Sequence, residues 1–227
     1  MTLTNLQAKV RQLTQTDSNS YDSTSLNQNL NNHYQRIQQL MDDLNQGWYE
    51  TITGTGNPQN LTAGTRTYAI PTDSMRIIKV QAKLDGATWV DIQEMKKGEI
   101  TSSIEQESDV TDVFDNVVPR FVLEGLNIRI LSGTISTVTN GLRFHYIQRQ
   151  ADLSSGSDVP AFPNEYHTVL AYGAAADYFY SRQNLDRGDR WNAKVEGMLQ
   201  EMRVMLSRRS SVEEMNMGVK SSRENYD

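Results

Sequence analysis

The chain has no cysteine, which excludes disulfides, thiolate nucleophiles and thiolate metal sites, so it folds without covalent staples in a compartment that need not be oxidising. It has no run approaching the ~18 apolar residues of a membrane span. Met1-Thr2-Leu3-Thr4 opens no secretory signal. Apolar side chains are few: mean hydropathy is −0.61, while Ser, Thr, Asn and Gln supply 71 of 227 residues. A modest core and assembly through polar contacts fit that balance. Wholesale disorder does not, because the apolar residues recur periodically. Nor is one sign of charge dominant. With 22 basic and 28 acidic side chains the net charge is −6, which exerts no global pull toward nucleic acid or an anionic membrane.

What is present begins with helices. Leu3, Leu6, Val10 and Leu13 fall at 3–4 spacing and predict a short amphipathic helix, with Thr4 and Gln7 as its capping box. Residues 16–22 read as a loop. Leu26, Leu30, Tyr34, Ile37, Met41, Leu44 and Trp48 then keep one face for several turns. The opposite face is almost all amide: Asn27, Gln28, Asn29, Asn31, Asn32, Gln35, Gln38 and Gln39. Two readings stand, a solvated uncharged face or a hydrogen-bonding surface for identical neighbours.

Gly54, Gly56, Pro58 and Gly64 break helical character, and residues 66–150 read as strands. Asp85-Gly86 and Glu124-Gly125 are turn dipeptides between apolar runs. After Asn140-Gly141, Leu142, Phe144 and Tyr146 alternate with Arg143 and His145 as in a half-buried strand. Between Asp91 and Asp115 lie eight carboxylates against two lysines, which predicts a mobile or solvent-facing excursion.

Residues 153–157 form a linker to two further helices, each roughly 30 Å long. Pro163 suits the first turn of a helix over 163–183, and Gly173, Ala174, Ala175 and Ala176 line it with small side chains beside Tyr166, Leu170, Tyr172 and Phe179. A mid-helix glycine costs roughly 1 kcal/mol, so close approach of another backbone is the expected gain. The neighbour is either a helix of the same chain or one of a second copy. Asn184–Gly188 make a break with Asp186 as N-cap. Trp191, Val195, Met198, Met202 and Met205 stripe the last helix to about Arg209, antiparallel to its predecessor. Residues 211–227 carry Val212, Met215, Met217, Val219 and Tyr226 as sparse anchors, and are expected to order only on a partner.

The chain is therefore expected to be α+β. A helical bundle comes from residues 1–60 and 158–210, an inserted antiparallel β region with the acidic loop spans 61–157, and an extended arm covers 211–227.

No catalytic constellation emerges. His33, His145 and His167 sit on separate elements without ligand spacing and read as surface or interface residues. Asp109, Asp112 and Asp115 lack the glycine and terminal glutamate of a calcium loop. Gly54-Thr55-Gly56-Asn57 is neither a P-loop nor a dinucleotide fingerprint, and Ser154-Ser155-Gly156-Ser157 lacks the nucleophile elbow. Basic residues cluster only at 182–209, offset by Asp186, Asp189, Glu196 and Glu201. No cofactor, metal or enzyme activity is expected.

The order of parts resembles the head-to-tail adaptor proteins of tailed bacteriophages, the connector or tail-tubular A type. The resemblance rests on Leu6, Val10 and Leu13; on Tyr68, Ile70-Pro71 and Arg76-Ile77-Ile78-Lys79-Val80; on Ile128-Arg129-Ile130 and Leu142-Arg143-Phe144-His145-Tyr146; and on Val159-Pro160, Pro163, Tyr166-His167, Leu170 and Gly173–Ala176. It spans roughly residues 1–210. Where the family often has a proline-rich turn, this chain has Ser132-Gly133-Thr134-Ile135-Ser136.

The resemblance implies a structural virion protein at the head–tail junction, assembled in the host cytoplasm without membrane contact. It implies a homo-oligomeric ring, of twelve copies, between the portal protein and a tail or nozzle protein, with double-stranded DNA passing through non-specifically. Subunit or portal contacts are then expected at Tyr166, Gly173, Ala174, Ala175, Arg208, Arg209, Met215, Met217, Val219 and Tyr226. Glu105, Glu107, Asp109, Asp112 and Asp115 would face the channel or tail-side opening, where negative charge lets DNA slide. Two other readings stand beside it. One is a tail-tip or receptor-binding module holding glycan on Trp89 and Tyr68. The other is a wall-degrading hydrolase with convergent carboxylates.

Overall fold

The computed structural model describes residues 1–44, 49–52, 58–100 and 107–221, with Glu107 and residues 207–221 described by backbone alone. In chain order the elements are α1 (Leu3–Thr14), α2 (Ser23–Asp43), β1 (Glu50–Thr51), β2 (Gln59–Leu61), β3 (Thr67–Ala69), β4 (Ser74–Ala82), β5 (Val90–Glu94), α3 (Glu107–Val113), β6 (Arg120–Glu124), β7 (Asn127–Leu131), β8 (Val138–Gln148), α4 (Thr168–Ser181) and α5 (Leu185–Ser221). The fold is α+β, with helices at both ends of the chain and a mixed sheet between them. Two compact units result, Met1–Trp48 with Gln150–Asp227, and Tyr49–Arg149. The sheet unit thus takes in residues 49–60, because β1 and β2 pair with β8.

In the helical unit, α1 buries Leu3, Leu6 and Val10, and α2 buries Leu26, Leu30, Tyr34, Ile37 and Met41. These are the apolar stripes expected from periodicity. The first cap differs: Thr2, not Thr4, accepts the Asn5 N–H at 3.3 Å. Thr4 instead donates to the Gly156 carbonyl at 3.0 Å and Gln7 to Asn27 at 2.7 Å, so both members of the expected box hold tertiary partners. Asp22 caps α2 through the Ser25 N–H, 2.9 Å away. Trp48 lies outside the described residues.

The amide-rich face of α2 has a use neither sequence reading anticipated. Asn31 donates to the Leu153 carbonyl at 3.1 Å and accepts the Leu153 N–H at 2.9 Å. Gln38 accepts the Gln150 N–H at 3.2 Å, and Gln35 donates to Asp152 at 3.0 Å. An Asn or Gln side chain offers a donor and an acceptor together, so it substitutes for a strand partner to an extended segment. The amides thereby clamp the chain as it returns from the sheet.

α4 packs against α1, α2 and α5. Its entry is a 3-10 turn, Asn164–Tyr166, and the break before α5 is shorter than expected. Asn184 caps α5 by accepting the Arg187 N–H at 3.3 Å, which leaves Asp186 inside the first turn. α5 also runs on, correcting the expected end near Arg209 and, over residues 211–221, the expected extended arm; residues 222–227 lie outside the described ones. Residues 207–221 contain no proline, and their Met, Glu, Lys and Arg content favours continued helix.

The sheet unit has strand order β1-β8-β4-β5-β6-β7-β3, with β2 also on β8. It is not wholly antiparallel: β5 and β6 pair in parallel at Gln93↔Arg120 and Glu94↔Phe121. The long connection between them makes this possible, since parallel neighbours need a crossover that a tight hairpin cannot supply. Gly86 and Gly125 carry φ of 87° and 65° at the expected turns. Asn140-Gly141 lies inside β8, where Asn140 takes φ 53°. Val80, Phe121, Ile128, Ile130, Leu142, Phe144 and Tyr146 belong to the core.

Arg66 is buried in that core's wall, donating to the carbonyls of Ile130 at 3.3 Å, Ser132 at 2.9 Å and Gly133 at 3.0 Å. Three acceptors around one guanidinium tie the strand start to the end of β7. Tyr146 donates to Asp73 at 3.0 Å, and burial above all pushes its hydroxyl pKa up to about 12.

Candidate functional site

The small-residue stripe of α4 is an internal seam. Ala174 and Ala175 are 0 % exposed and Gly173 is buried. At Gly173 the ring of His33 from α2 comes so close that a Cβ would lie 2.5 Å from it. His33 is held there by a 2.9 Å contact to Asp177. Tyr21 lies over the next turn, its hydroxyl 3.4 Å from the Ala174 carbonyl and its ring 4.7 Å from Tyr178. The expected contact between copies at Gly173, Ala174 and Ala175 is therefore corrected: helices of the same chain already cover these residues. Tyr166 is half-buried at the turn leading into α4.

His167, expected at a surface or interface, is fully buried instead. Its Nε2–H donates to the Phe162 carbonyl at 2.8 Å, and its Nδ1 lies 2.6 Å from the Met1 ammonium. Burial, with that ammonium, pulls its pKa below the ordinary histidine value. The ring is a neutral two-sided clamp at the head of α4, not a metal ligand.

The outer side of α5 is different. Val195, Leu199, Met202 and Leu206 face inward, while Val204 and Met205 are about two-fifths exposed and Leu185 is 62 % exposed. Arg208, Arg209, Met215, Met217 and Val219 all stand on the helical continuation. Tyr226 lies outside the described residues.

The acidic segment is anchored rather than free. Glu107, Asp109, Asp112 and Asp115 fall on α3 or just after it, while Glu105 lies outside the described residues. Val110 of α3 is buried against Val122 and Leu131, with Met95, Ile100 and Phe114 packed around it. That single apolar tooth fixes the helix, and Asp112 and Asp115 remain exposed. Asp115 accepts the N–H groups of Val117 and Val118 at 3.0 and 2.9 Å. Beside it a cavity of 370 Å³ is lined by Glu94, Glu99, Asp115 and Arg120 among others. Glu99 there accepts the Lys96 N–H and Arg120 donates to Gln93, so these groups are engaged in structural bonds.

The glycan candidates fare worse. Tyr68 is buried, its hydroxyl donating to the Thr65 carbonyl at 2.8 Å. Trp89 is half-buried and covered by cations, Arg143 4.1 Å and Lys83 5.0 Å from its ring centre. Next to it Gln81 accepts from Arg143 at 2.7 Å and His145 at 3.0 Å and donates to Asp91 at 2.5 Å. Burial first, then Arg143 and Lys79, lowers the His145 pKa. No open aromatic platform remains at the two positions proposed for sugar.

Among the described residues no cluster of His, Asp and Glu is disposed to hold a metal ion, and no helix is long and apolar enough to cross a membrane. The chain matches the family model described as SU10 adaptor protein over residues 1–219. No curated protein matches it.

Proposed function

The chain belongs to the SU10 adaptor protein family, and on that premise we propose that it works as a ring of identical copies at the head–tail junction of a tailed phage. It is a structural virion component of the adaptor type. In the proposed arrangement the ring, of twelve copies, docks on the portal protein, receives the tail or nozzle protein on its other side and lets double-stranded DNA pass through without sequence contact.

The observation that carries this reading is α5. Its 37 residues rise about 55 Å, against about 21 Å for the 14 residues of α4, its antiparallel partner. Such a helix extends well past the element that packs it. Its continuation over 207–221, with Arg208, Arg209, Met215, Met217 and Val219, is the proposed contact with the portal. The exposed Asp112 and Asp115 suit a channel or tail-side position, because fixed negative charge near the duplex repels phosphate and prevents adhesion.

Electron microscopy of the purified chain, alone and mixed with its portal, tests this. Closed rings that bind portal are expected, and removal of residues 207–227 is expected to leave folded protein that no longer docks. A truncated chain that docks as well as the intact one would refute the role given to α5. A monomer indifferent to portal would refute the ring.

A further inference from the structure

The outer face of β4 and β8 carries a charge pattern opposite to that of the chain. Val80 and Ala82 of β4 and Leu142 and Phe144 of β8 belong to the core, so the alternation of a strand turns Lys79, Gln81, Arg143 and His145 to the other face. Lys79 stands opposite His145 and Gln81 opposite Arg143, with Asp91 of β5 on the other side of Gln81. Past the end of β4, Lys83 and Trp89 flank the turn into β5. Lys79, Lys83 and Arg143 thus meet a single carboxylate in this group, in a chain whose net charge is −6.

That carboxylate is taken. Asp91 lies 2.9 Å from the Lys79 ammonium and also accepts from the Gln81 amide. Asp85, on the intervening turn, accepts the N–H groups of Ala87 and Thr88 at 2.9 Å each. Arg143 and Lys83 are left with the Trp89 ring, 4.1 and 5.0 Å from its centre. Among the described residues neither has a carboxylate partner.

Arg143 is also held in place. Gln81, only 8 % exposed, accepts its Nε–H at 2.7 Å. That bond orients the guanidinium, and among the described residues its two terminal nitrogens have no hydrogen-bond partner. A guanidinium so held loses little freedom on taking a carboxylate. Shielding of an indole face needs one cation. A second beside it adds like-charge repulsion, which an anion between them removes.

We infer that this patch docks an acidic segment of a partner protein, a glutamate carboxylate lying on the terminal nitrogens of Arg143 and the Lys83 ammonium with the glutamate methylenes against Trp89. Charge complementarity selects this class of occupant. Two cations match one or two carboxylates, whereas a nucleic-acid duplex needs a longer basic array and meets Asp85 and Asp91 at the margin. The inference does not depend on the ring: it concerns the sheet unit of the intact chain in any assembly state.

Panning a random seven-residue peptide display library on the full chain, with the Arg143→Gln chain as counter-target, tests it. Enriched peptides are expected to carry Glu or Asp. A synthetic copy of the best peptide should bind about tenfold more weakly to Arg143→Gln, several-fold more weakly to Lys83→Gln, and not at all once its acids are replaced by the matching amides. Tryptophan fluorescence should respond to the peptide through Trp89 and cease to respond in Trp89→Phe. Circular dichroism checks that the variants fold. Should Arg143→Gln misfold, Lys83→Gln, whose native side chain makes no hydrogen bond among the described residues, becomes the counter-target, and the amide peptide decides. No enrichment of acidic peptides, equal binding to all variants, a fluorescence response that survives Trp89→Phe, or displacement of the peptide by an equal concentration of inorganic phosphate overturns the inference. Displacement by an equal concentration of random-sequence duplex DNA overturns it in favour of nucleic acid. Self-association of the chain that Arg143→Gln abolishes overturns it by making a second copy the occupant.

Discussion

The helical unit and the sheet unit use polar side chains in opposite ways. In the helical unit, amides and a histidine are spent inward: Asn31, Gln38 and His167 satisfy the backbone of segments that have no regular structure of their own. In the sheet unit, strand pairing already satisfies most of the backbone, and the polar groups that go inward are few and concentrated, with Arg66 and Asp73 foremost. One unit is held by many replaceable bonds around a tight helical seam. The other is held by an apolar core with a small number of concentrated polar ties.

The largest test of this contrast is Phe144→Ala in the sheet core. Large-to-small changes at such sites cost about 3–5 kcal/mol. Hydrogen exchange should show the loss of protection concentrated in residues 49–149; equal loss in α1, α2 and α4 would break the division into two cores.

Arg66→Met should cost about 2–3 kcal/mol in urea unfolding, because three carbonyls lose a charged donor in a buried place. A smaller cost would mean water replaces the guanidinium there. On the helical side, Gly173→Ala should destabilise by about 1–3 kcal/mol, overpacking against His33 outweighing alanine's better helix propensity. If thermal melting shows the variant to be more stable, the seam is looser than drawn.

The next effect is in pH. The folded-state pKa of His167 lies below its unfolded value of 6.5, so the unfolded chain binds the proton more readily. Its contribution is present above pH 6.5 and is lost as pH falls below that toward the folded pKa. His145 shifts the same way. The melting temperature should therefore fall between pH 7.5 and pH 5, and His167→Gln should flatten that dependence in the helical unit more than His145→Gln does. The smallest effect is expected for Arg36→Ala. Its 2.9 Å pair with Glu196 is half exposed on both sides, and such pairs contribute about 0.5 kcal/mol. A much larger loss would make surface charge a real fastener of α2 to α5.

Much of this was legible beforehand, unevenly. The apolar faces of α1, α2 and α5, the turns at Gly86 and Gly125 and the alternation along β8 followed from periodicity, since each reflects one element facing one core. The adaptor family was legible from the order of parts. The surfaces were not. Gly173–Ala176 announce a close neighbour but do not say whose, and the answer turned on His33, 140 residues earlier in the chain. The amides of α2 look solvent-bound until the return of residues 150–153 is known. That Leu123 and Leu126 stay exposed, at 43 % and 84 %, was not legible either, because periodicity marks them as apolar without saying what packs beside them.

Local order, then, was written in the residues themselves: where helices and strands run, which side of each is greasy, and that covalent bridges and thiol chemistry are excluded. Placement was decided only by the folded chain. Which small side chains are already covered and which histidine is sealed from water both depend on contacts between residues far apart in sequence. A one-dimensional pattern records a side chain's periodicity but not the identity of what arrives against it.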